Sequence, residues 1–242
     1  MDPYIFFGTV LPERAMISFQ LEFAFSHPST GFGGQVTVSV ILNQILVQVS
    51  SEDPWDIWDL RNVVLSSLRA EVAAVGYIKG YAYHVEIARV LHTSRNIDLV
   101  FGIDVPCISA SRTMTELMPA MEQLRAPRSG ENGIYINRCF TDLNLALRNA
   151  DDTPFYCYRA IEALRHHCSA VNHLKEANRS TQWKEFRDRS GVREADIREI
   201  SEAAKEIRHG GHTSFDGNGR AKILQHTWNI VDCYLSSFQN RS

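Results

Sequence analysis

The 242-residue chain has no long hydrophobic run. Its most apolar stretch, Val36 to Val49, is interrupted by Thr37, Ser39, Asn43, Gln44 and Gln48, well short of the roughly 18 apolar residues that suggest a membrane helix. Met1-Asp2-Pro3 also lacks the basic start of a secretory leader. A cytoplasmic protein with no membrane partner is expected. The five cysteines, Cys107, Cys139, Cys157, Cys168 and Cys233, include no C-x-x-C pair. A closed zinc site needs thiolates or imidazoles at short spacing, so reduced thiols and no metal are expected. The usual loops of chemistry are missing too. There is no G-x-S-x-G and no paired-histidine motif, and Gly31-Phe32-Gly33-Gly34 precedes a strand pattern rather than a helix. No cofactor is called for.

Strong charge of either sign is also lacking. The net charge is −3, unlike the basic footprint of an obligate nucleic-acid binder. The charge is unevenly spread, however. Residues 1–125 hold 8 Lys/Arg against 13 Asp/Glu, whereas residues 126–242 hold 17 against 15 and six of the nine histidines. An anionic partner is expected to favour the second part.

Hydrophobic residues make up 44% of the chain, enough for two ordinary cores. In the first part the period is two. Tyr4 to Val10 reads as a strand. Ile17, Phe19, Leu21, Phe23 and Phe25 alternate with polar or small residues, and so do Val36, Val38 and Val40. Asn43-Gln44 marks either a bulge or a tight turn. Asp53-Pro54 opens a long helix that Gly76 and Gly80 close. Tyr81 to Arg89 and Leu99 to Val105 read as further strands, and Met114 to Leu124 as a helix. The aromatic residues Trp55, Trp58, Tyr77, Tyr81 and Tyr83 read as core or interface rather than a ligand cage.

Ala126-Pro127-Arg128-Ser129-Gly130-Glu131-Asn132-Gly133 reads as a linker. Beyond it the period becomes 3.6. Five amphipathic stretches with short connections predict a helical bundle over 134–242. The expected architecture is therefore α+β: residues 1–125 a mostly antiparallel sheet with one long helix, 126–133 a linker, 134–242 all-helical.

Two clusters in the second part could carry chemistry. Arg159, Glu162, His166 and His173 share one face of a helix, flanked by Arg165 and His167. Arginine offers fixed positive charge for a phosphate, and histidine can exchange a proton near neutral pH. The plainer reading is a solvated face with an Arg159–Glu162 pair. The second cluster is Arg208-His209-Gly210-Gly211-His212. Basic residues and glycine suit a helix C-terminus, yet two imidazoles and a guanidinium around a diglycine would also hold a phosphodiester.

These residues carry a resemblance. Thr153-Pro154-Phe155-Tyr156-Cys157-Tyr158-Arg159-Ala160-Ile161-Glu162-Ala163-Leu164 and Ala203-Ala204-Lys205-Glu206-Ile207-Arg208-His209-Gly210 make the span from about Ile134 to Asn240 resemble a HEPN domain, the small helical bundle of many prokaryotic toxin and defence proteins. The resemblance implies metal-independent cleavage or binding of RNA, and a homodimer. Active members share an Arg, four to six residues, then a His. Arg159–His166 and Arg220–His226 fit that spacing, whereas Arg208–His212 has only three intervening residues. The catalytic candidates are accordingly Arg208, His209, His212, Arg159 and His166. The competing expectation is a non-catalytic module that binds a ligand or partner and dimerises through its bundle.

Overall fold

The computed structural model describes residues 2–27, 30–211 and 216–239. Its contacts divide the chain into two units, Met1–Ile103 and Asp104–Ser242.

The first unit is a six-stranded antiparallel sheet: β1 (Tyr4–Leu11), β2 (Phe19–Ser26), β3 (Gly33–Ile41), β4 (Gln44–Ser50), β5 (His84–His92) and β6 (Ile97–Val100), in the order β2-β3-β4-β1-β5-β6. Alternation buries Tyr4, Phe6 and Val10, Val36, Val38 and Val40, Ile45, Val47 and Val49, and Val85 and Ile87 on one face. The single long helix between β4 and β5, α1 (Ile57–Lys79), lies along β5 and buries Leu60, Val64, Leu65, Leu68 and Val72. It starts later than Asp53-Pro54 suggests. The capping side chain is Asp56, which accepts from the Trp58 and Asp59 amides. Asp53 instead accepts from the Gly33 amide at 2.7 Å. Gly80, in the left-handed conformation at φ +66°, ends the helix.

The Asn43 step is a turn. Ile41 pairs with Gln44 across a two-residue loop in which Leu42 and Asn43 both have positive φ. The buried Asn43 side chain accepts from the Ile17 amide at 2.8 Å and donates to the Glu13 carbonyl at 2.6 Å. It thereby ties the hairpin to the segment before β2. Trp55 is core, against Phe25 and Phe32, whereas Tyr77 and Tyr81 are exposed.

The second unit opens with short helices, α2 (Pro106–Ser109), α3 (Leu117–Gln123) and α4 (Arg125–Arg128). The stretch 126–133 expected to link the domains thus lies inside this unit, as the end of α4 and the approach to α5. The bundle follows: α5 (Gly133–Arg148), α6 (Thr153–Val171), α7 (Arg179–Ser190), α8 (Glu194–Ala203), α9 (Lys205–Arg208) and α10 (Gly217–Gln239). α6 is its axis and packs on α5, α7, α8 and α10. Cys157, Ile161, Leu164 and Cys168 form its fully buried stripe. The chain is thus α+β, with the helices segregated after the sheet. Among the described residues no helix is long and apolar enough to cross a membrane.

Candidate functional site

Helical spacing on α6 separates two rows beside the buried stripe. Tyr158, Glu162 and Arg165 recur at i, i+4 and i+7 and meet α7. Arg159 and Glu162 were one candidate pair, but each finds a different carboxylate or cation. Arg159 turns to α5 and pairs with Asp142 at 3.1 Å, its guanidinium lying 5.3 Å from the Phe155 ring centre. Glu162 accepts from Arg179 Nη2 at 2.6 Å. The expected Arg159–Glu162 pair is therefore replaced by two inter-helix pairs, because both long side chains reach facing helices.

Asp142 is buried, and one of its oxygens has no hydrogen-bond partner. Burial pushes its carboxyl upward, against the pull of Arg159 and Arg138. Arg159 is therefore largely committed to holding a buried acid.

The densest cationic cluster surrounds Arg165, which the sequence presents only as a flanking residue. Arg165 is 5% exposed. It donates through Nη1 to Gln182 Oε1 and through Nη2 to His166 Nε2 at 2.8 Å. Its guanidinium stacks 5.3 Å from the Trp183 ring centre, and its Nε has no partner. Among the described residues no carboxylate lies within ion-pair distance of it. Burial, then the nearby Arg179 charge, lowers its pKa, while Glu162 pulls the other way. A buried cation with neutral partners is costly, by several kcal/mol in order of magnitude.

Two more arginines gather at the rim. Arg179 donates to the Tyr158 hydroxyl at 3.2 Å as well as to Glu162. Arg208, on α9, lies 4.9 Å from the centre of the same Tyr158 ring, and Tyr158 in turn stacks on Trp183. Three guanidiniums thus meet around two aromatic rings, and Glu162 pairs with Arg179 among them. Arg208 and the half-exposed Arg179 reach solvent, whereas Arg165 is buried.

His166 is exposed and stacks on Tyr135 of α5, 5.9 Å between ring centres. Its pKa is lowered by burial of part of the ring and then by Arg165, with Glu162 opposing. Because the guanidinium can only donate, Nε2 accepts and the ring is neutral with its proton on Nδ1. His166 and Arg208 thus connect to one cluster through Arg165 and Tyr158, while Arg159 is drawn to Asp142. His209 is the exposed C-terminal cap of α9, followed by Gly210 at φ +82°. His212 lies outside the described residues.

Other basic residues are structural. Arg220, the arginine of the second Arg–His spacing, donates to the Ala146 and Leu147 carbonyls at 3.2 and 2.7 Å and to Thr153 Oγ1 at 2.9 Å. It closes the end of α5. His167 is buried, 2.7 Å from the Tyr234 hydroxyl, and burial alone brings its pKa down to about 4. The buried thiols of Cys139, Cys157 and Cys168 are protonated, since burial pushes Cys157 up to about 12 and also raises Cys139 and Cys168. Among the described residues no group of three or more His, Cys, Asp or Glu could hold a metal. In the first unit an open cleft beside Phe25, Gly34 and Ser51 has Glu52 as its one ionisable lining residue, which offers no catalytic set.

Residues 4–101 match the family model described as the N-terminal domain of DUF8168, a domain of unknown function, and residues 121–239 match the C-terminal domain of the same family. The two matches follow one another and cover most of the chain. The chain belongs to the DUF8168 family. No curated protein and no solved structure matches it. The two DUF8168 matches bracket the division seen in the contacts, and the arginine cluster lies wholly within the C-terminal DUF8168 domain.

Proposed function

We propose that the helical unit binds a phosphate-bearing ligand, RNA first among them, over Arg179 and Arg208 and above the buried Arg165. The observation that carries this reading is Arg165 itself. A guanidinium held at 5% exposure without a carboxylate supplies positive potential in a low-dielectric setting, where it acts more strongly than at a surface. A phosphate seated on the rim arginines would supply the missing countercharge and the acceptors that guanidinium forks match. Structural placement alone would have favoured an apolar residue at position 165, since a buried stripe continues on both sides of it.

RNA as the ligand rests on the HEPN resemblance, which also suggests a toxin or defence effector. Binding is favoured over cleavage, because the acceptor nitrogen of His166 is already occupied by Arg165. A cleaving reading has one observation behind it: His166 is exposed, neutral and bonded to the Arg165 guanidinium, so release of the Arg165 contact would free a base for a 2′-hydroxyl.

The test uses fluorescently labelled single-stranded RNA in EDTA, followed by anisotropy and by gel. Wild type is expected to bind, with Arg179→Ala and Arg208→Ala each weakening affinity about tenfold and lowering the salt slope by roughly one per lost phosphate contact. Loss of RNA cleavage in a folded His166→Ala variant would promote the cleaving reading. Absence of binding by wild type, or equal binding by the arginine variants, would sink the proposal.

A further inference from the structure

The edges of the sheet are treated very differently. β6 is four residues long and carries Asp98, held by Arg89 through two hydrogen bonds of 2.8 and 2.6 Å. A short charged edge resists pairing with another chain. β2 has none of that protection. It is eight residues long, Phe19-Gln20-Leu21-Glu22-Phe23-Ala24-Phe25-Ser26, with no proline, no lysine or arginine, and one charge, Glu22. Its pairing with β3 runs without a register shift from Phe19 to Ser26.

The hydrogen bonds at its ends show which way its backbone faces. The Ile17 carbonyl accepts from the Asn43 amide, and the His27 amide donates to the Phe32 carbonyl. In an antiparallel pair the direction alternates by residue, so Phe19, Leu21, Phe23 and Phe25 aim their peptide groups at β3. Gln20, Glu22 and Ala24 aim theirs outward, and all three are exposed. The odd-numbered side chains share the core face but stay half-buried, since α1 lies along β5 near the other side of the sheet. An open row of donors and acceptors therefore runs beside a half-covered apolar row.

We infer that β2 pairs antiparallel with β2 of a second copy, continuing the sheet across a two-fold axis at Leu21. The occupant follows from the strand's fit to itself. With Leu21 on the axis, Phe19 meets Phe23 of the other copy, and the Gln20 amide meets the Glu22 carboxylate twice. The outward-facing residues 20 and 22 then form the hydrogen-bonded pairs that the alternation requires, and the two apolar rows cover each other. Centring on Glu22 would set two carboxylates face to face. This dimer uses the first unit and is independent of the phosphate-ligand reading of the second.

The mass of the full chain is measured by light scattering and sedimentation from about 1 to 100 µM. A dimer is expected. Gln20→Glu opposes two pairs of carboxylates and is expected to weaken it roughly tenfold, whereas Gln20→Lys should tighten it by a similar factor. Glu22→Pro removes an amide that β3 does not use, so a folded monomer is expected, with helical and sheet circular dichroism retained. If that variant misfolds, the two exposed Gln20 variants still decide. A monomeric wild type, or a dimer indifferent to all three changes, overturns the inference. Tightening by Ala24→Lys in place of Gln20→Lys overturns the Leu21 axis.

Discussion

His167 supplies a prediction whose size can be worked out in advance. Its imidazole is 3% exposed, bonded through Nδ1 to the Tyr234 hydroxyl and edged by Phe238. Burial takes its pKa from 6.5 in the unfolded chain to about 4 in the folded one. Above pH 6.5 the ring is neutral in both states and its contribution is fully present. Between 6.5 and 4 the unfolded chain binds a proton that the folded chain refuses, so stability falls by about 1.4 kcal/mol per pH unit. The integrated loss by pH 4 is about 3 kcal/mol, a large share of a typical domain's stability. Urea unfolding followed by tryptophan fluorescence, at half-unit steps from pH 7.5 to 4.5, measures the slope. His167→Phe keeps the volume and cannot titrate. It is expected to cost about 1–3 kcal/mol at pH 7, because the Tyr234 hydroxyl loses its buried partner, and to flatten the acid slope by about one proton. Equal slopes for the two proteins would refute the assignment of His167 as a buried neutral residue.

Other outcomes follow from the hydrogen bonds already described. Arg220→Ala should lower unfolding free energy by about 2–4 kcal/mol through the loss of three contacts at the end of α5, while leaving RNA affinity unchanged; a fall in affinity without a fall in stability would contradict its structural role. Asn43→Ala should cost about 2–4 kcal/mol in urea unfolding, from the lost ties to Ile17 and Glu13 and from placing alanine at φ +71°. Gly8→Ala should destabilise more than either, since a Cβ there would lie 2.1 Å from the Glu86 carbonyl oxygen, beside the bulge between Phe7 and Gly8. A variant with wild-type thermal stability would contradict that packing.

Much of the architecture can be read from residue order because burial imposes a period. The alternations at Phe19–Phe25 and Val36–Val40 and the stripe through Ile161, Leu164 and Cys168 depend only on which neighbours share a face. Boundaries are less legible. Asp53 and Asp56 are both fit to cap a helix, and the choice between them turned on the Gly33 amide, which folding brings to Asp53. The candidate site is less legible still. Arg159 and His166 stand out by spacing, but Asp142, seventeen positions before Arg159, draws the arginine away. Arg165 carries a weak signal, an arginine set among the buried positions of an amphipathic helix. Arg179 carries none, since its partners Glu162 and Tyr158 are on another helix.

The sequence alone thus determined the α+β order, with strands first and helices after, because hydrophobic period is a local property. It also placed 17 of the 25 Lys and Arg residues in the helical part. Tertiary structure decided which cations meet. Ion pairs and stacking depend on side chains that meet only across helices, so Arg208, far along the chain, shares a ring with Arg179, and Arg220, nearer to Arg208 in sequence, closes α5 instead. The edge of β2 is likewise a property of strand order: the same alternating residues in the middle of the sheet would have no open edge.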